Sequence, residues 1–165
     1  MEIRHLQKHE LSLTRNLAEK IWPSAYGTIL SEEQLSYMLN WMYSIETLEK
    51  SFDKGNEFYC AFDNDLPLGF LELEFLNEEA DSVKLQKIYV LPSEQNKGIG
   101  KNFLQLALLR AKNRGARNVI LQVNRANKAV QFYLNNNFCI ISEEDFPIGN
   151  DYYMNDYVME KTLIK

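Results

Sequence analysis

The sequence predicts a single mixed α/β domain with a central sheet of about seven strands flanked by about four helices. Apolar or alternating runs bounded by turn residues predict the strands, and amphipathic stretches with helical spacing predict the helices. A glycine-containing loop that joins a strand to a helix lies in the middle of this order. No linker, repeat or low-complexity tract interrupts the 165 residues, so residues 1–165 are expected to form one domain.

The N-terminal part of the chain is predicted to contain a short strand followed by two helices. The strand covers the first few residues, and the first helix covers 8–21, because Pro23 disfavours helical geometry at Trp22. Ser31 starts the second helix, and Gln34 completes a capping box with it. The apolar stripe of that helix is expected to comprise Leu35, Met38, Leu39, Met42 and Ile45.

The rest of the chain is predicted to alternate between strands and helices. A hairpin comes first, with its turn at the Asp-Asn-Asp sequence 63–65. Gly115 is expected to end the third helix, because glycine is typical of the position after a helix C-terminus. The strands are predicted at 57–62, 66–75, 83–91, 118–123, 138–142 and 152–163, the helices at 102–114 and 127–137, and a polar turn at 77–82.

Composition argues against several classes of function. The formal net charge of −5 argues against nucleic-acid binding and is compatible with cationic small molecules. No apolar run approaches the ~20 residues of a membrane span, and the first residues lack the layout of a signal peptide. A cytoplasmic protein without membrane attachment is therefore expected.

The cysteines and histidines predict a reducing compartment and no metal site. Cys60 and Cys139 are isolated within apolar, strand-like runs, which predicts two buried free thiols in a reducing compartment. His5 and His9 lack the spacing of metal ligands, so no metal site is predicted.

The segment most informative about function is 95–101, Gln-Asn-Lys-Gly-Ile-Gly-Lys. A chain that leaves a strand and starts a helix through such a loop directs several free backbone N–H groups at one point. That point lies at the positive end of the helix dipole and suits a phosphate or pyrophosphate. Glycine allows close approach of the ligand and a positive φ. The alternative interpretation is an ordinary strand-to-helix turn with solvated lysines.

Three segments in order resemble the GNAT superfamily of acyl-CoA-dependent N-acyltransferases. The segment 88–92, Ile-Tyr-Val-Leu-Pro, looks like that family's fourth strand and its exit. The segment 95–100 matches the Q/R-x-x-G-x-G/A pyrophosphate loop, and 124–138 resembles the N-x-x-A-x-x-F-Y-x-x-x-G-F segment. The resemblance implies the GNAT-like fold, in which the mixed sheet is mostly antiparallel. Segments 22–38 and 146–163 are similar to bacterial spermine/spermidine acetyltransferases that also regulate degradative and sporulation programmes.

The resemblance implies a cytosolic N-acetyltransferase that uses acetyl-CoA and transfers acetyl directly to a primary amine of a small molecule, with a polyamine favoured. Two alternatives stay open: a protein or peptide N-acetyltransferase, and a CoA-binding regulator with little turnover. A homodimer is compatible with the resemblance. A dinucleotide-binding domain fits poorly, because the glycine pattern differs from G-x-G-x-x-G and follows four predicted strands.

The resemblance also implies which residues bind acetyl-CoA. The backbone of the loop would bind the pyrophosphate, and the exposed edge of the fourth strand would pair with the pantetheine arm. An N–H near Val90 would polarise the thioester oxygen. The residues expected to contact acetyl-CoA are Ile88, Tyr89, Val90, Gln95, Asn96, Lys97, Gly98, Ile99, Gly100, Lys101, Asn127, Ala129 and Tyr133. Asn127 has an equally good interpretation as a helix cap.

Tyr133 is the expected general acid, because the family places a tyrosine hydroxyl near the CoA sulfur there. A phenol with a pKa near ~10 can protonate a thiolate. The alternative is a core tyrosine. The base is uncertain, because the position at which related polyamine acetyltransferases carry a glutamate is Gln86 here.

Four residues are candidates for the acceptor site. Glu72 and Glu74 alternate with apolar residues and could bind a cationic amine, although a solvated sheet face is the more common outcome. Trp22 and Tyr26, expected in the inter-helix loop, could hold an ammonium by cation–π contact. Tyr37 and Trp41 could contribute further aromatic faces to the acceptor site, although helix packing is the favoured role for Trp41. For Asp151 and Asp156, solvation in a loop or at a strand edge is expected rather than acceptor binding.

Overall fold

The computed structural model describes residues 1–76 and 81–163, which form a seven-stranded sheet covered by helices on both faces. The predicted mixed α/β architecture is therefore confirmed. The strands are β1 (Glu2–His5), β2 (Glu57–Asp63), β3 (Leu66–Phe75), β4 (Ser82–Val90), β5 (Asn118–Asn124), β6 (Cys139–Gly149) and β7 (Tyr152–Thr162). The helices are α1 (Ser12–Tyr26), α2 (Glu32–Met42), α3 (Ile45–Asp53), α4 (Ile99–Asn113) and α5 (Ala129–Asn135), with 3-10 turns at Lys8–Glu10 and Pro92–Glu94.

The strands lie in the order β1-β2-β3-β4-β5-β7-β6. Every neighbouring pair is antiparallel except β4 and β5, which run parallel. Alternation along β2 divides the core in two: Phe58 and Cys60 pack under α1–α3, while Tyr59 and Ala61 pack with α4 and α5 on the other face.

Helix α1 begins and ends later than the predicted 8–21, because residues 8–10 form a separate 3-10 turn and Pro23 lies inside the helix without ending it. The helix continues to Tyr26, and the Gly27 N–H donates to the Pro23 carbonyl at 2.9 Å. Trp22 and Tyr26 are buried on the same face of this extra turn. Burial of two large aromatic side chains outweighs the backbone hydrogen bond that proline removes.

The predicted second helix is in fact two helices. Ser31 caps α2 as expected, since its hydroxyl accepts from the Gln34 N–H at 3.1 Å. The side chain of Gln34 does not complete the capping box, because it donates to the Tyr153 carbonyl of β7 at 2.9 Å. Ile45 belongs to α3, a helix that the sequence reading missed. Ser44 caps α3 by accepting from the Thr47 N–H.

The strand predictions are largely confirmed. The β2–β3 hairpin turns at Asn64 and Asp65, whose φ angles of 46° and 70° suit short polar side chains. Gly115 follows α4 with a φ of 77°. Strand β6 runs further than predicted, to Gly149, before its turn into β7. Of the turn predicted at 77–82, residues 77–80 lie outside the described residues.

The prediction for the cysteines is half right. Both thiols are free, and Cys60 is buried in the core. Cys139 is exposed, because it begins β6, the outermost strand at that edge of the sheet.

Candidate active site

Among the strands of the described residues, the one parallel pair separates soon after it begins. β4 pairs with β5 at Ser82, Val83 and Lys84. Beyond that point β4 stays paired with β3 up to Val90, while β5 stays paired with β7. The two strands therefore diverge and open a V-shaped gap in the middle of the sheet.

The end of β4 presents unpaired backbone groups to this gap. The Leu91 N–H donates to the Leu68 carbonyl of β3 at 2.9 Å. Backbone direction alternates along a strand, so the N–H and C=O groups of Val90 and Ile88 point away from β3. The contact of the Gln95 amide with the Val90 carbonyl, at 3.4 Å, agrees with this direction. An extended ligand can pair with such an edge as an added strand.

The loop between β4 and α4 collects backbone donors at the same end of the gap. Asn96 and Gly98 have φ angles of 65° and 85°, which turn the chain into the helix. The first N–H of this region with a helical acceptor is that of Asn102, bonded to the Gly98 carbonyl at 3.0 Å. Within the part of the chain that the structure describes, the N–H groups of 96–101 have no acceptor. This arrangement is suited to an anionic group.

Glycine suits positions 98 and 100 of the loop for two different reasons. Gly98 adopts a backbone conformation that other residues rarely adopt, with open space around it. Gly100 lies in the first turn of α4, and a Cβ there would meet the Phe132 ring only at 3.8 Å. The backbone at Gly100 is therefore uncovered, with room for a ligand. Lys97 pairs with Glu94 at 3.1 Å, and Lys101 is exposed.

Asn127 connects α5 to the far side of the gap. Its Oδ1 accepts from the N–H of Ala129, the first residue of α5, at 2.9 Å, although the N-cap position itself is Lys128. Its Nδ2 donates to the Tyr26 hydroxyl at 3.2 Å, and that hydroxyl bonds the Tyr89 hydroxyl at 2.7 Å. The network holds α1, β4 and α5 in a fixed arrangement around the opening.

Tyr133 lies deep beside this network. Its side chain is only 4% exposed and makes edge contacts with the rings of Phe132 and Phe138. Burial raises the pKa of the Tyr133 phenol well above its ordinary value. Among the described residues its hydroxyl has no hydrogen-bond partner. The phenol is thus a protonated donor without an assigned acceptor, and it also belongs to the core.

A small cleft of about 70 Å³ lies at the opening between the diverging strands. Residues of α1, α2, β4, β5 and β7 line it. Trp22 and Tyr26 both line the cleft, from α1 rather than from a loop, with ring centroids 4.8 Å apart. Trp41 is 47% exposed, so its expected packing role is wrong, and it stacks with Tyr37 outside the cleft.

The two predicted glutamates are held by ion pairs outside the lining of the cleft. Glu72 is 1% exposed and binds Lys87 and Asn56, so the expected solvated face is wrong for it. Glu74 binds Lys54 and accepts from the Gln86 amide at 2.7 Å. The alternation along β3 holds, since Leu71 and Leu73 both pack in the core on the other face, and the β-bulge at this point places Gln86 of β4 as the extra residue. Gln86 itself lines the cleft.

Asp156 is a cleft residue that sequence reasoning assigned to solvent. It is 4% exposed, because β7 lies between β5 and β6 rather than at an edge. Burial raises the pKa of its carboxyl to about 6, against the opposing effect of Arg125 and Lys84. Met154, two residues earlier, lines the same cleft. Tyr153 lines it as well, so no alternation in the sequence marked Asp156 as a cleft residue.

The described residues contain neither a helix suited to span a membrane nor a cluster suited to a metal ion. None of their helices combines the length and apolar character needed to cross a bilayer. They also contain no group of three or more histidine, cysteine or acidic side chains placed to hold a metal ion.

Known structures share this fold. The PaiA N-acetyltransferase from Thermoplasma acidophilum, solved in complex with coenzyme A, superposes with a TM-score of 0.83 at 29% identity and covers 98% of both chains. A GCN5-related N-acetyltransferase from Rhodopseudomonas palustris has a TM-score of 0.81 at 16% identity, over 98% of this chain and 95% of that one, and supports the fold alone.

Sequence comparisons lead to the same group of proteins. A spermidine N(1)-acetyltransferase from Thermoplasma acidophilum is 29% identical over 98% of this chain and 96% of its own length. The family model described as acetyltransferase (GNAT) family matches residues 14–138, which include the glycine loop, the diverging strands and Tyr133. With most of its length inside that match, the chain belongs to the GNAT acetyltransferase family.

Proposed function

We propose that this protein transfers the acetyl group of acetyl-CoA directly to a primary amine of a small molecule, with polyamines as the favoured acceptors. The observation that carries the proposal is the free edge of β4 next to the donor-rich start of α4. One feature suits the extended pantetheine arm, and the other suits the pyrophosphate. The relative solved with coenzyme A at 29% identity supports the same assignment.

The cofactor-binding residues of the proposal follow the geometry of the gap. Ile88 and Val90 would pair with the pantetheine arm through their backbone, while Tyr89 directs its side chain to Tyr26. The N–H groups of the loop would bind the pyrophosphate. The full set stays as predicted: Ile88, Tyr89, Val90, Gln95, Asn96, Lys97, Gly98, Ile99, Gly100, Lys101, Asn127, Ala129 and Tyr133.

The chemistry needs a polarised thioester and a proton for the leaving thiolate. The outward N–H of Val90 would donate to the thioester oxygen as negative charge develops there. Tyr133 would protonate the thiolate. A covalent acetyl-enzyme is not part of the proposal, because burial raises the pKa of the Cys60 thiol to about 12 and keeps it protonated.

The acceptor would enter the cleft from the side covered by α2. Trp22 and Tyr26 offer aromatic faces, and Asp156 offers a carboxylate to a cationic amine. α2 is bonded to the hairpin of β6 and β7, since Tyr37 donates to the Ile148 carbonyl at 2.7 Å. This cover favours a slender amine over a folded protein acceptor. The spermidine acetyltransferase relative supports polyamines in particular.

Two finer parts of the proposal concern the setting of the reaction. We infer a cytoplasmic location, in agreement with two free cysteines, of which one is exposed. We also infer that a homodimer is compatible with activity. Sedimentation of the purified protein measures the second point directly.

The first experiment measures release of free thiol from acetyl-CoA with spermidine, spermine, smaller amines, amino acids and short peptides. Calorimetry with CoA runs beside it. Turnover with polyamines supports the full proposal, and turnover with peptides alone moves the acceptor to an open groove. Binding of CoA without turnover across the panel favours the CoA-binding regulator. Absence of CoA binding contradicts the proposal entirely.

A further inference from the structure

The cleft contains a buried carboxylate without a partner. The Asp156 carboxylate accepts no hydrogen bond and forms no ion pair with any residue in 1–76 or 81–163. Its side chain lines the cleft although only 4% of the residue is exposed. Buried carboxylates are normally paired, because an ionised oxygen loses its hydration on burial. An unpaired one that faces a cleft is suited to a cationic ligand.

The charged groups around Asp156 do not neutralise it by contact. Arg125, after β5, donates to the backbone carbonyl of Asp156 at 3.2 Å, and its guanidinium binds Asp145 at 2.7 Å. Lys84 of β4 lines the same cleft and acts only at a distance. Tyr26 of α1 faces Asp156 from across the cleft, and Glu144 lies opposite it on β6 with an exposed side chain.

The acceptor amine must lose a proton before it can attack the thioester. The residue at the position where a base is expected cannot accept that proton. Gln86 has no titratable group, and its amide donates to Glu74. Glu74 is in turn held by Lys54 and lies outside the lining of the cleft. Asp156 is the acidic side chain among the residues that line the cleft.

We propose that Asp156 binds the ammonium group of the acceptor and accepts its proton, a role that rests on the proposed acetyltransfer. The proton moves from nitrogen to the carboxylate, and the nitrogen lone pair forms the new bond to the thioester carbon. The carbon–sulfur bond breaks, and Tyr133 protonates the thiolate. The nitrogen then gives a second proton to the Tyr133 phenolate, which restores the phenol. Asp156 releases its proton to solvent.

The surroundings of Asp156 support this role. Burial raises the pKa of its carboxyl to about 6, so the group is a stronger base than an ordinary aspartate and is still ionised at neutral pH. A single carboxylate at the lining also implies that one ammonium of a polyamine is bound there. The remaining cationic part of the acceptor would extend away from Lys84, because like charges repel.

The test compares Asp156→Asn with Asp63→Asn, which removes the same charge from an exposed position at the end of β2. Both variants and the wild type are assayed with acetyl-CoA and the best acceptor of the panel, from pH 5 to pH 9. We expect kcat/KM to fall by about 100-fold or more in Asp156→Asn and to stay unchanged in Asp63→Asn. In a plot of log kcat/KM against pH, protonation of Asp156 should add one unit to the downward slope of the wild type below about pH 6. The plot for Asp156→Asn should lack this extra slope.

Other outcomes separate this inference from the proposed function. If the wild type is active and Asp156→Asn shows the same fall in kcat/KM at low pH, the proton-accepting role is overturned. The proposed acetyl transfer would still stand. A raised KM with unchanged kcat would reduce Asp156 to an ammonium-binding group and also overturn the proton-accepting role. A wild type without turnover contradicts the proposed function instead. Circular dichroism and CoA calorimetry of Asp156→Asn show whether its loss of activity reflects unfolding.

Discussion

At the scale of the residue, burial determines what each side chain of the site can do. Tyr133 keeps its proton because burial raises the pKa of its phenol, so it is always available as a donor. The same burial makes a phenolate costly, so in the proposed reaction the proton of Tyr133 would be replaced within the same turnover. The same effect makes the buried Asp156 carboxylate a better proton acceptor than an ordinary aspartate, because burial raises its pKa to about 6.

Tyr133→Phe removes this donor and keeps the ring contacts with Phe132 and Phe138. We expect kcat to fall by about tenfold or more, because the thiolate must then be protonated by water. CoA affinity in calorimetry should remain close to that of the wild type. Full turnover in the variant would show that Tyr133 serves only the core.

Gly100→Glu should abolish CoA binding. A carboxylate in the first turn of α4 would occupy the space of the pyrophosphate and repel it. This position avoids the strain expected at Gly98, where φ is 85°, because a Cβ at Gly100 meets only the Phe132 ring, at 3.8 Å. Gly100→Ala is the matched control and should retain most of the affinity. Equal CoA affinity in the two variants would contradict the assignment of the pyrophosphate to this loop.

At the scale of the element, β4 has different roles along its two edges. Towards β3 it forms a continuous antiparallel pair, and towards β5 it is paired only over Ser82–Lys84. The unpaired edge is functional only if the paired edge holds β4 in place. The buried ion pair of Glu72 and Lys87 joins β3 to β4 near the middle of that edge.

Glu72→Gln should therefore lower stability rather than acceptor affinity. It removes one partner of the buried pair and leaves the charge of Lys87 without its counter-ion, which costs about 3 kcal/mol of unfolding free energy. Glu74→Gln is the control, since its partner Lys54 is largely exposed and the expected loss is below about 1 kcal/mol. Urea unfolding measures both. Similar losses of unfolding free energy in the two variants would contradict the structural role of Glu72. A raised KM for the acceptor with unchanged stability would indicate that Glu72 contributes to the acceptor site.

At the scale of the whole molecule, the cleft unites parts of the chain that are distant in sequence. Tyr26 comes from α1, Gln86 from β4 and Asp156 from β7. Such a site carries a cost in stability, because Asp156 is ionised in a buried setting at neutral pH. Active sites often retain destabilising groups of this kind.

Asp156→Asn should accordingly be more stable than the wild type at pH 7.5. The folded pKa of about 6 lies above the ordinary value near ~3.9, so the native state binds more protons between these values. Wild-type stability therefore falls as the pH rises through this window. We expect the variant to gain about 1 kcal/mol at pH 7.5, allowing for solvent in the cleft, and much less at pH 4.5. Denaturation at both pH values tests this, and an equal difference at each would contradict it.

Sequence alone predicted the features that depend on neighbouring residues. The glycine loop and the β2–β3 turn carry their conformations in a few residues, and both were found where expected. The failures depended on distant contacts. Pro23 stays helical because Trp22 and Tyr26 are buried against the sheet, and Asp156 is buried because β7 lies between β5 and β6. No local pattern records either contact.

The position of β7 has a consequence for biosynthesis. This strand follows the other six in the chain, yet it bonds β5 on one side and β6 on the other. A nascent chain that ends before β7 would leave β5 and β6 each with an unpaired edge and no strand between them. Such edges invite wrong pairing. The cleft, too, acquires Asp156 only when β7, Tyr152–Thr162, joins the sheet, so under the proposed role of Asp156 a chain that ends before β7 would lack the residue that accepts the proton.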